Sequence, residues 1–201
     1  MLFFLLPVLS VSKGQSSISG PECVVSGIEY QYSVSSGGSA SMQICVEGGT
    51  LIGSTRNCIN GSAVSTIRIV WDDLQTGIIT LSAADKISKN ITITTELQAG
   101  VISDSLKRII LYDGIPSVIS CSAASGGGCS ASYSYQWQES LDNVDWKPIE
   151  GATGQNLAIS KRLSEATFFR RKVTNTVSKT TAYSQVASVF IIPKGLSSYN
   201  F

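Results

Sequence analysis

The stretch that decides the fold is Tyr133-Ser134-Tyr135-Gln136-Trp137-Gln138-Glu139-Ser140, in which aromatic and polar residues alternate. A period of two places Tyr133, Tyr135 and Trp137 on one face of a β-strand and their polar neighbours on the other. A second stretch, at 167–173, has the same half-buried character further along the chain. Two such strands predict a β-sandwich in which Trp137 is a buried core anchor.

Composition supports an all-β chain and argues against an enzyme. The 201 residues are 43% hydrophobic, enough for one or two cores, and include 18 glycines, which favour turns. A formal net charge of +1 predicts neither a nucleic acid nor an anionic membrane as partner. The absence of histidine removes Ser-His-Asp and Cys-His catalysis and most zinc sites. We therefore expect no catalytic residue, no cofactor and no metal.

Short apolar stretches separated by turn residues recur along the whole chain, as in β-sandwiches. The expected strands are 28–34, 42–46, 65–71, 77–83 and 90–96, then 107–112, 117–123, 145–149, 156–159, 167–173 and 182–192. In the first series Trp71 shares a face with Ile67 and Ile69, which makes it the second core anchor. We expect turns at 47–53 and at Asn60-Gly61, and at most one helical turn at 163–166. A junction at 96–102 divides the chain, so the fold class is two tandem antiparallel β-sandwich modules.

The cysteines indicate disulfides rather than a metal site. They are Cys23, Cys45, Cys58, Cys121 and Cys129. None forms a CxxC pair, the spacing that zinc sites usually need, and disulfides are the natural state of cysteines in an exported chain. We favour Cys45–Cys58 and Cys121–Cys129, the second closed across the glycines at 126–128. Cys23 is then left over, buried or free, and Cys23–Cys45 stays open as an alternative pair.

The N-terminus predicts export. Residues 1–11 form an apolar run of signal-peptide length, too short to span a bilayer comfortably. We expect a signal peptide over 1–15, a secreted or cell-surface location, and no membrane span after its removal. A buried N-terminal strand is the alternative. Residues 194–201 have the composition of a tail.

Several motifs in the second half match a known group of modules. They are YQWQ at 135–138, DW at 145–146, IEGAT at 149–153, TFFRR at 167–171 and YS at 183–184. With these motifs, 133–192 resembles the bacterial immunoglobulin-like (Ig-like) modules of Bacteroidetes surface and secreted proteins, sandwiches whose core is anchored by a strand tryptophan. The Ig-like module would occupy 97–193. Phe168-Phe169 replaces the group's usual tyrosine pair, and Gln185 its usual asparagine.

The first half resembles a module that often precedes such Ig-like domains. Tyr30-Gln31-Tyr32 and the strand at 67–71, followed by 76–78, are similar to the PKD-like domain, which would occupy 16–96. The 97–103 junction is similar to junctions found ahead of RHS-type regions. The resemblance implies a non-catalytic exported surface protein that acts as a spacer or stalk, or as an adhesion and recognition module. Its partners would be other surface proteins or glycans.

Candidate sites are few, and each has a structural alternative. Asp72-Asp73 could bind calcium or carry a proton, but it also fits a solvated turn. Residues 170–172 could form a basic ligand patch; the alternative is a strand in which the stems of Arg170 and Lys172 lie over the sheet. Trp146 is the tryptophan expected to be partly exposed, and it supports the alternative function of a carbohydrate-binding accessory module.

Three positions fit glycosylation patterns. Asp104-Ser105-Leu106 matches the short O-glycosylation motif of Bacteroidetes, which makes Ser105 the candidate acceptor. Asn60 and Asn90 match the N-glycosylation pattern, which a bacterial source would leave unused.

Overall fold

The computed structural model describes residues 14–61, 65–103 and 106–195. These residues form β-strands, turns and extended segments, and no stretch of them is helical. They therefore contain no helix with the length and apolarity needed to cross a membrane. The chain divides into two compact units, residues 14–93 and residues 94–195.

The first unit is a sandwich of two sheets. Its strands are β1 (Ser16–Ser19), β2 (Cys23–Val25), β3 (Glu29–Ser36), β4 (Met42–Glu47), β5 (Gly49–Leu51), β6 (Cys58–Gly61), β7 (Thr66–Trp71), β8 (Thr76–Ser82) and β9 (Lys86–Thr94). One sheet has the order β1-β3-β7-β5 and the other has the order β2-β9-β8-β4-β6. The pairs β3–β7 and β4–β8 are antiparallel. Alternate residues of these strands are buried, so their apolar faces meet between the sheets.

Trp71 lies at the centre of the first core. It is almost fully buried, and its Nε1 donates a hydrogen bond to the Tyr32 hydroxyl at 3.1 Å. The two rings meet edge to face, with centroids 6.1 Å apart. Glycines make room for the indole, since a Cβ at Gly77 would come within 2.2 Å of the ring and one at Gly49 within 2.9 Å.

The second unit is built on one large sheet. Its strands are β10 (Lys107–Leu111), β11 (Tyr133–Ser140), β12 (Lys147–Pro148), β13 (Thr167–Asn175), β14 (Thr181–Tyr183) and β15 (Ala187–Ile192). The order is β10-β15-β13-β11-β12, and β14 pairs with β13. The β11–β13 pair is antiparallel, whereas β10 runs parallel to β15. Extended segments linked by isolated bridges, such as Ile102–Cys121 and Ile119–Leu157, pack on the inner face of the sheet.

Trp137 lies at the centre of the second core. It is fully buried with Leu157 and Phe169, and its Nε1 donates to the Gly154 carbonyl at 3.1 Å. Val173 is also fully buried, but it belongs to a smaller neighbouring cluster with Ala99 and Ala124.

Some predicted elements are wrong in detail. Asn60-Gly61 ends strand β6 instead of forming a turn, because β6 pairs with β4. The 163–166 segment has no helical turn, since the Leu163 backbone pairs with Gly114 instead. The segments 117–123 and 156–159 contribute only isolated bridges, and 182–192 is split into β14 and β15.

The cysteine predictions need one correction. Cys45 and Cys58 are opposite each other on β4 and β6 and form a disulfide. The predicted Cys121–Cys129 bridge is wrong, because Cys121 is a buried free thiol that points into the Trp137 cluster. Cys23 and Cys129 are both disulfide-bonded, so the interpretation of Cys23 as a free or merely buried thiol is also wrong.

Three predictions fall at least partly outside the described residues. The signal peptide over 1–15 concerns mostly residues 1–13, the glycosylation candidate is Ser105, and the tail over 194–201 concerns mostly residues 196–201. They stay predictions.

Candidate functional site

The sheet of the second unit has an outward face that carries both polar and apolar side chains. Along β13, fully buried residues alternate with half-buried ones. The half-buried set is Phe168, Arg170, Lys172 and Thr174. The register places Gln138 beside Arg170, Tyr183 beside Lys172, and Ser188 beside Phe168 on that same face.

Arg170 is held between two aromatic rings. Its guanidinium carbon lies 4.1 Å from the centroid of the Trp146 ring and 4.2 Å from that of the Tyr183 ring. Its Nε donates to Gln138 Oε1 at 2.8 Å. Stacking on two rings and a fixed Nε hold the guanidinium plane in one orientation.

The loop that carries Trp146 is itself fixed by Asp142. The Asp142 carboxylate accepts hydrogen bonds from the backbone N–H groups of Val144 at 2.9 Å and Asp145 at 2.8 Å, and from the Ser140 hydroxyl at 2.8 Å. These donors favour the ionised form and lower the pKa of Asp142 to about 2. The aromatic ring that covers Arg170 therefore belongs to an ordered turn.

The charges of the outward face have one sign. Among the described residues, the terminal nitrogens of Arg170 make no hydrogen bond and neither Arg170 nor Lys172 joins a salt bridge. The residues that share the outward side of the six strands include no Asp or Glu, because Glu139 lies on the inner side with Phe169. The face is therefore cationic, with two charges that lack a carboxylate partner in this part of the chain.

Large apolar side chains lie on the same outward side of the sheet, on β10 and β15. Ile109 is 70% exposed, Leu111 56% and Phe190 40%. The register places Ile109 beside Phe190 and Leu111 beside Ile192, and Phe168 meets Phe190 edge to face at 6.5 Å. We call Ile109, Leu111, Phe190 and Phe168, together with Arg170, Trp146 and Tyr183, the outward patch.

The first unit has no comparable face among its described strands. Its exposed residues on two long strands are Glu29, Gln31, Ser33 and Ser35 on β3, and Lys86, Ser88, Asn90 and Thr92 on β9. Arg68 and Lys89 there are paired with Glu29 and Glu22. Among the described strands, exposed apolar side chains and unpaired cations therefore share a face only in the second unit.

Arg171 has a different role from its neighbours. It is fully buried, and its terminal nitrogens donate to the carbonyls of Gln155 at 2.6 Å, Ser122 at 2.6 Å and Ala99. Its guanidinium also lies 4.2 Å from the Tyr135 ring centroid. Arg171 thus ties the sheet to the facing segments, and the predicted basic patch at 170–172 is reduced to Arg170 and Lys172.

The other sequence candidates are isolated. Asp72 and Asp73 are exposed after β7, where the Asp72 N–H donates to the Gly48 carbonyl at 3.0 Å. No set of three or more Cys, Asp or Glu among the described residues could hold a metal ion. Trp146 is half-buried, and Arg170 covers one face of its ring.

The sequence interpretation did not single out Tyr183, Gln138, Ile109 or Phe190 as surface residues that act together. The alternation in β10 and β15 indicates which of their residues point outward. It does not indicate that β10 and β15 are neighbours, because a parallel pairing of distant segments leaves no local signal.

Comparisons with known proteins give a family match for the second unit. A family model described as a domain of unknown function (DUF8696) matches residues 98–193, which include all the strands of the outward patch. No curated protein matches this chain.

Solved structures resemble the chain at low identity. A fragment of intimin, in complex with the intimin-binding domain of the translocated intimin receptor, is 11% identical with a TM-score of 0.47; the match covers 90% of this chain and 65% of that one. The tandem Ig repeats of Dlar are 12% identical with a TM-score of 0.32, covering 89% and 98%. Three domains of the bacteriophage RB49 outer capsid protein Hoc are 10% identical with a TM-score of 0.42, covering 89% and 69%.

Proposed function

We propose that this chain is a non-catalytic recognition module of an exported surface protein. Its second unit binds a protein partner through the outward patch, and its first unit acts as a spacer. The observation that carries the proposal is the exposure of Ile109, Leu111 and Phe190 on the sheet face that also carries a stacked arginine. Contiguous apolar patches on soluble proteins mark interaction sites, and aromatic residues and arginine are enriched at protein interfaces.

Chemistry and compartment agree with this proposal. A chain without histidine lacks the commonest general base. The outward side of the six strands of the second unit also carries no Asp or Glu that could act as one. The Cys45–Cys58 disulfide favours an oxidising compartment. The signal peptide, the surface location and the kinship with Bacteroidetes PKD-like and Ig-like modules remain predictions that fit the same picture.

The test is saturable binding of the fluorescently labelled full chain to intact cells, with and without protease treatment of their surface. We expect protease-sensitive binding that falls at least tenfold in the Ile109→Ser/Phe190→Ser variant. The matched control is Ile28→Ser/Leu74→Ser, which removes two exposed apolar residues from the first unit and should bind as the wild type does. If the Ile109→Ser/Phe190→Ser variant bound as well as the wild type, or if the wild type showed no saturable binding, the recognition role would be contradicted. The chain would then be a spacer only.

A carbohydrate-binding accessory module is the second candidate. It is favoured by two aromatic rings close together on the surface, Trp146 and the 48% exposed Tyr183. Arg170 occupies one face of each ring, so a sugar could stack only on the opposite faces. A glycan array distinguishes the candidates, since sugar recognition requires binding that Trp146→Ala abolishes and Ile109→Ser does not change.

A further inference from the structure

We infer that the outward patch binds a protein surface that presents a carboxylate next to apolar side chains, and that Arg170 receives this carboxylate. The inference rests on the proposed function and adds the chemistry of the partner. It starts from Arg170, whose guanidinium lies between the Trp146 and Tyr183 rings at 4.1 and 4.2 Å.

The state of Arg170 fits a prepared carboxylate site. Only its Nε is used within the described residues, by Gln138, so the paired N–H groups on its terminal nitrogens remain available. A guanidinium presents parallel donors that match the two oxygens of a carboxylate. Because the rings already fix its orientation, binding costs little additional side-chain entropy. Packing on the rings alone would not explain why the face around Arg170 carries no acidic residue, whereas a carboxylate-binding role does explain it.

The neighbouring residues determine the class of partner. Lys172 adds a second cation on the same face, and Ile109, Leu111 and Phe190 add apolar surface. A polyanion would neutralise the charges but would offer nothing to cover the apolar side chains. An acidic protein surface with exposed apolar residues satisfies both.

A second copy of this chain does not fit. In a two-fold dimer the same patch meets itself, so Arg170 and Lys172 would find only other cations or uncharged side chains on the facing copy of the patch. Like charges brought together at an interface without counter-charges disfavour that pairing. The charge pattern therefore favours a different, acidic partner.

The experiment is a selection from a phage-displayed random peptide library on the immobilised full chain. We expect enriched peptides that contain Asp or Glu next to aromatic or aliphatic residues. For an enriched peptide, replacing the acidic residue by its amide should weaken binding to the wild type at least tenfold. The same replacement should change binding to Arg170→Leu less than twofold, because the interacting group is already missing.

Two variants and two competitors complete the design. Arg170→Lys keeps the charge but not the paired donors and should also lose binding, whereas Lys86→Gln removes an exposed cation from the first unit and should behave as the wild type. Thermal unfolding curves verify that each variant is folded. Vesicles that contain phosphatidylserine, and polyphosphate, should not displace the peptides; displacement by either at comparable concentration would overturn the assignment to a protein partner.

The outcomes separate this inference from the proposed function. Peptides that lose binding with Ile109→Ser/Phe190→Ser but show no excess of acidic residues would leave recognition in place and overturn the partner chemistry. Peptides whose binding is insensitive to both Arg170→Leu and the apolar double variant would overturn the site and the inference together.

Discussion

Adjacent residues on one strand, Arg170 and Arg171, serve opposite purposes because the strand alternates. Arg170 points outward and lies between aromatic rings, whereas Arg171 points inward and satisfies three backbone carbonyls. Those carbonyls belong to segments linked only by isolated bridges, so they have few other donors. The inward arginine therefore replaces hydrogen bonds that a regular sheet would supply.

We predict that Arg171→Lys and Arg171→Ala both destabilise the second unit. Lysine cannot reach three carbonyls with one ammonium group, and alanine leaves all three without this donor, including the carbonyl of the buried Ala99. An unsatisfied buried group costs about 1–3 kcal/mol, so the free energy of unfolding should fall by at least that much in the alanine variant. Urea unfolding measures the loss. The matched change Arg170→Ala should cost about 1 kcal/mol or less, and equal losses at the two positions would contradict the assigned roles.

The burial of individual residues is predictable from the sequence where it follows the two-residue alternation of a β-strand. Trp137 and Trp71 were placed in the cores from alternation alone, and both are buried. The burial of Arg171 follows from the same alternation, but its partners do not, because the carbonyls come from segments distant in sequence. Spacing along the chain predicts a Cys121–Cys129 bridge, whereas the Cys121 side chain is buried in the core.

At the scale of elements, most strands of the two units are predicted, and those at 16–25 and 49–61 are not. The strands β3, β4, β7 to β13 and β15 overlap their predicted ranges, whereas β1, β2, β5 and β6 lie where no strand is predicted. The segments around Ile119 and Leu157 have the same composition as strands, yet they form single bridges. Whether such a segment becomes a strand depends on the neighbour it meets, and that neighbour is not encoded locally.

The Cys121 segment offers a test of the corrected cysteine assignment. Burial raises the pKa of the Cys121 thiol, and both its position and its protonation should protect it from alkylation. We predict that iodoacetamide modifies no cysteine in the native chain near neutral pH and modifies Cys121 once the chain is unfolded without reductant. Peptide mapping identifies the site, and Cys121→Ser serves as the blank. Rapid native labelling of Cys121, or a Cys121–Cys129 peptide, would refute the assignment.

At the scale of the whole molecule, each unit has its own apolar core. The cluster around Trp71 contains residues of β2 to β9, and the cluster around Trp137 contains residues of the second unit. The sequence predicts this division through the junction at 96–102. It does not indicate that the exposed strand residues of the first unit are polar whereas the outward face of the second unit carries large apolar side chains.

We predict that core truncations act on one unit at a time. Trp137→Ala should cost about 3–5 kcal/mol, as large-to-small changes in cores do. Amide hydrogen exchange should then rise across residues 106–195 and stay close to wild type across residues 14–61. Trp71→Ala should produce the reverse pattern. Trp146→Ala, at the surface, should leave exchange in both cores unchanged, and a uniform rise in either core variant would contradict two separate cores.

The Cys45–Cys58 disulfide has a consequence for a module that bears load. It connects β4 to the edge strand β6 across a sequence separation of 13 residues. Where tension acts on the chain at both linked positions, the segment between them cannot be drawn out. At ~3.5 Å per extended residue, the bond withholds about 45 Å of contour length. Under such tension the first unit would therefore lengthen less than its residue count implies, as the proposed spacer role would require.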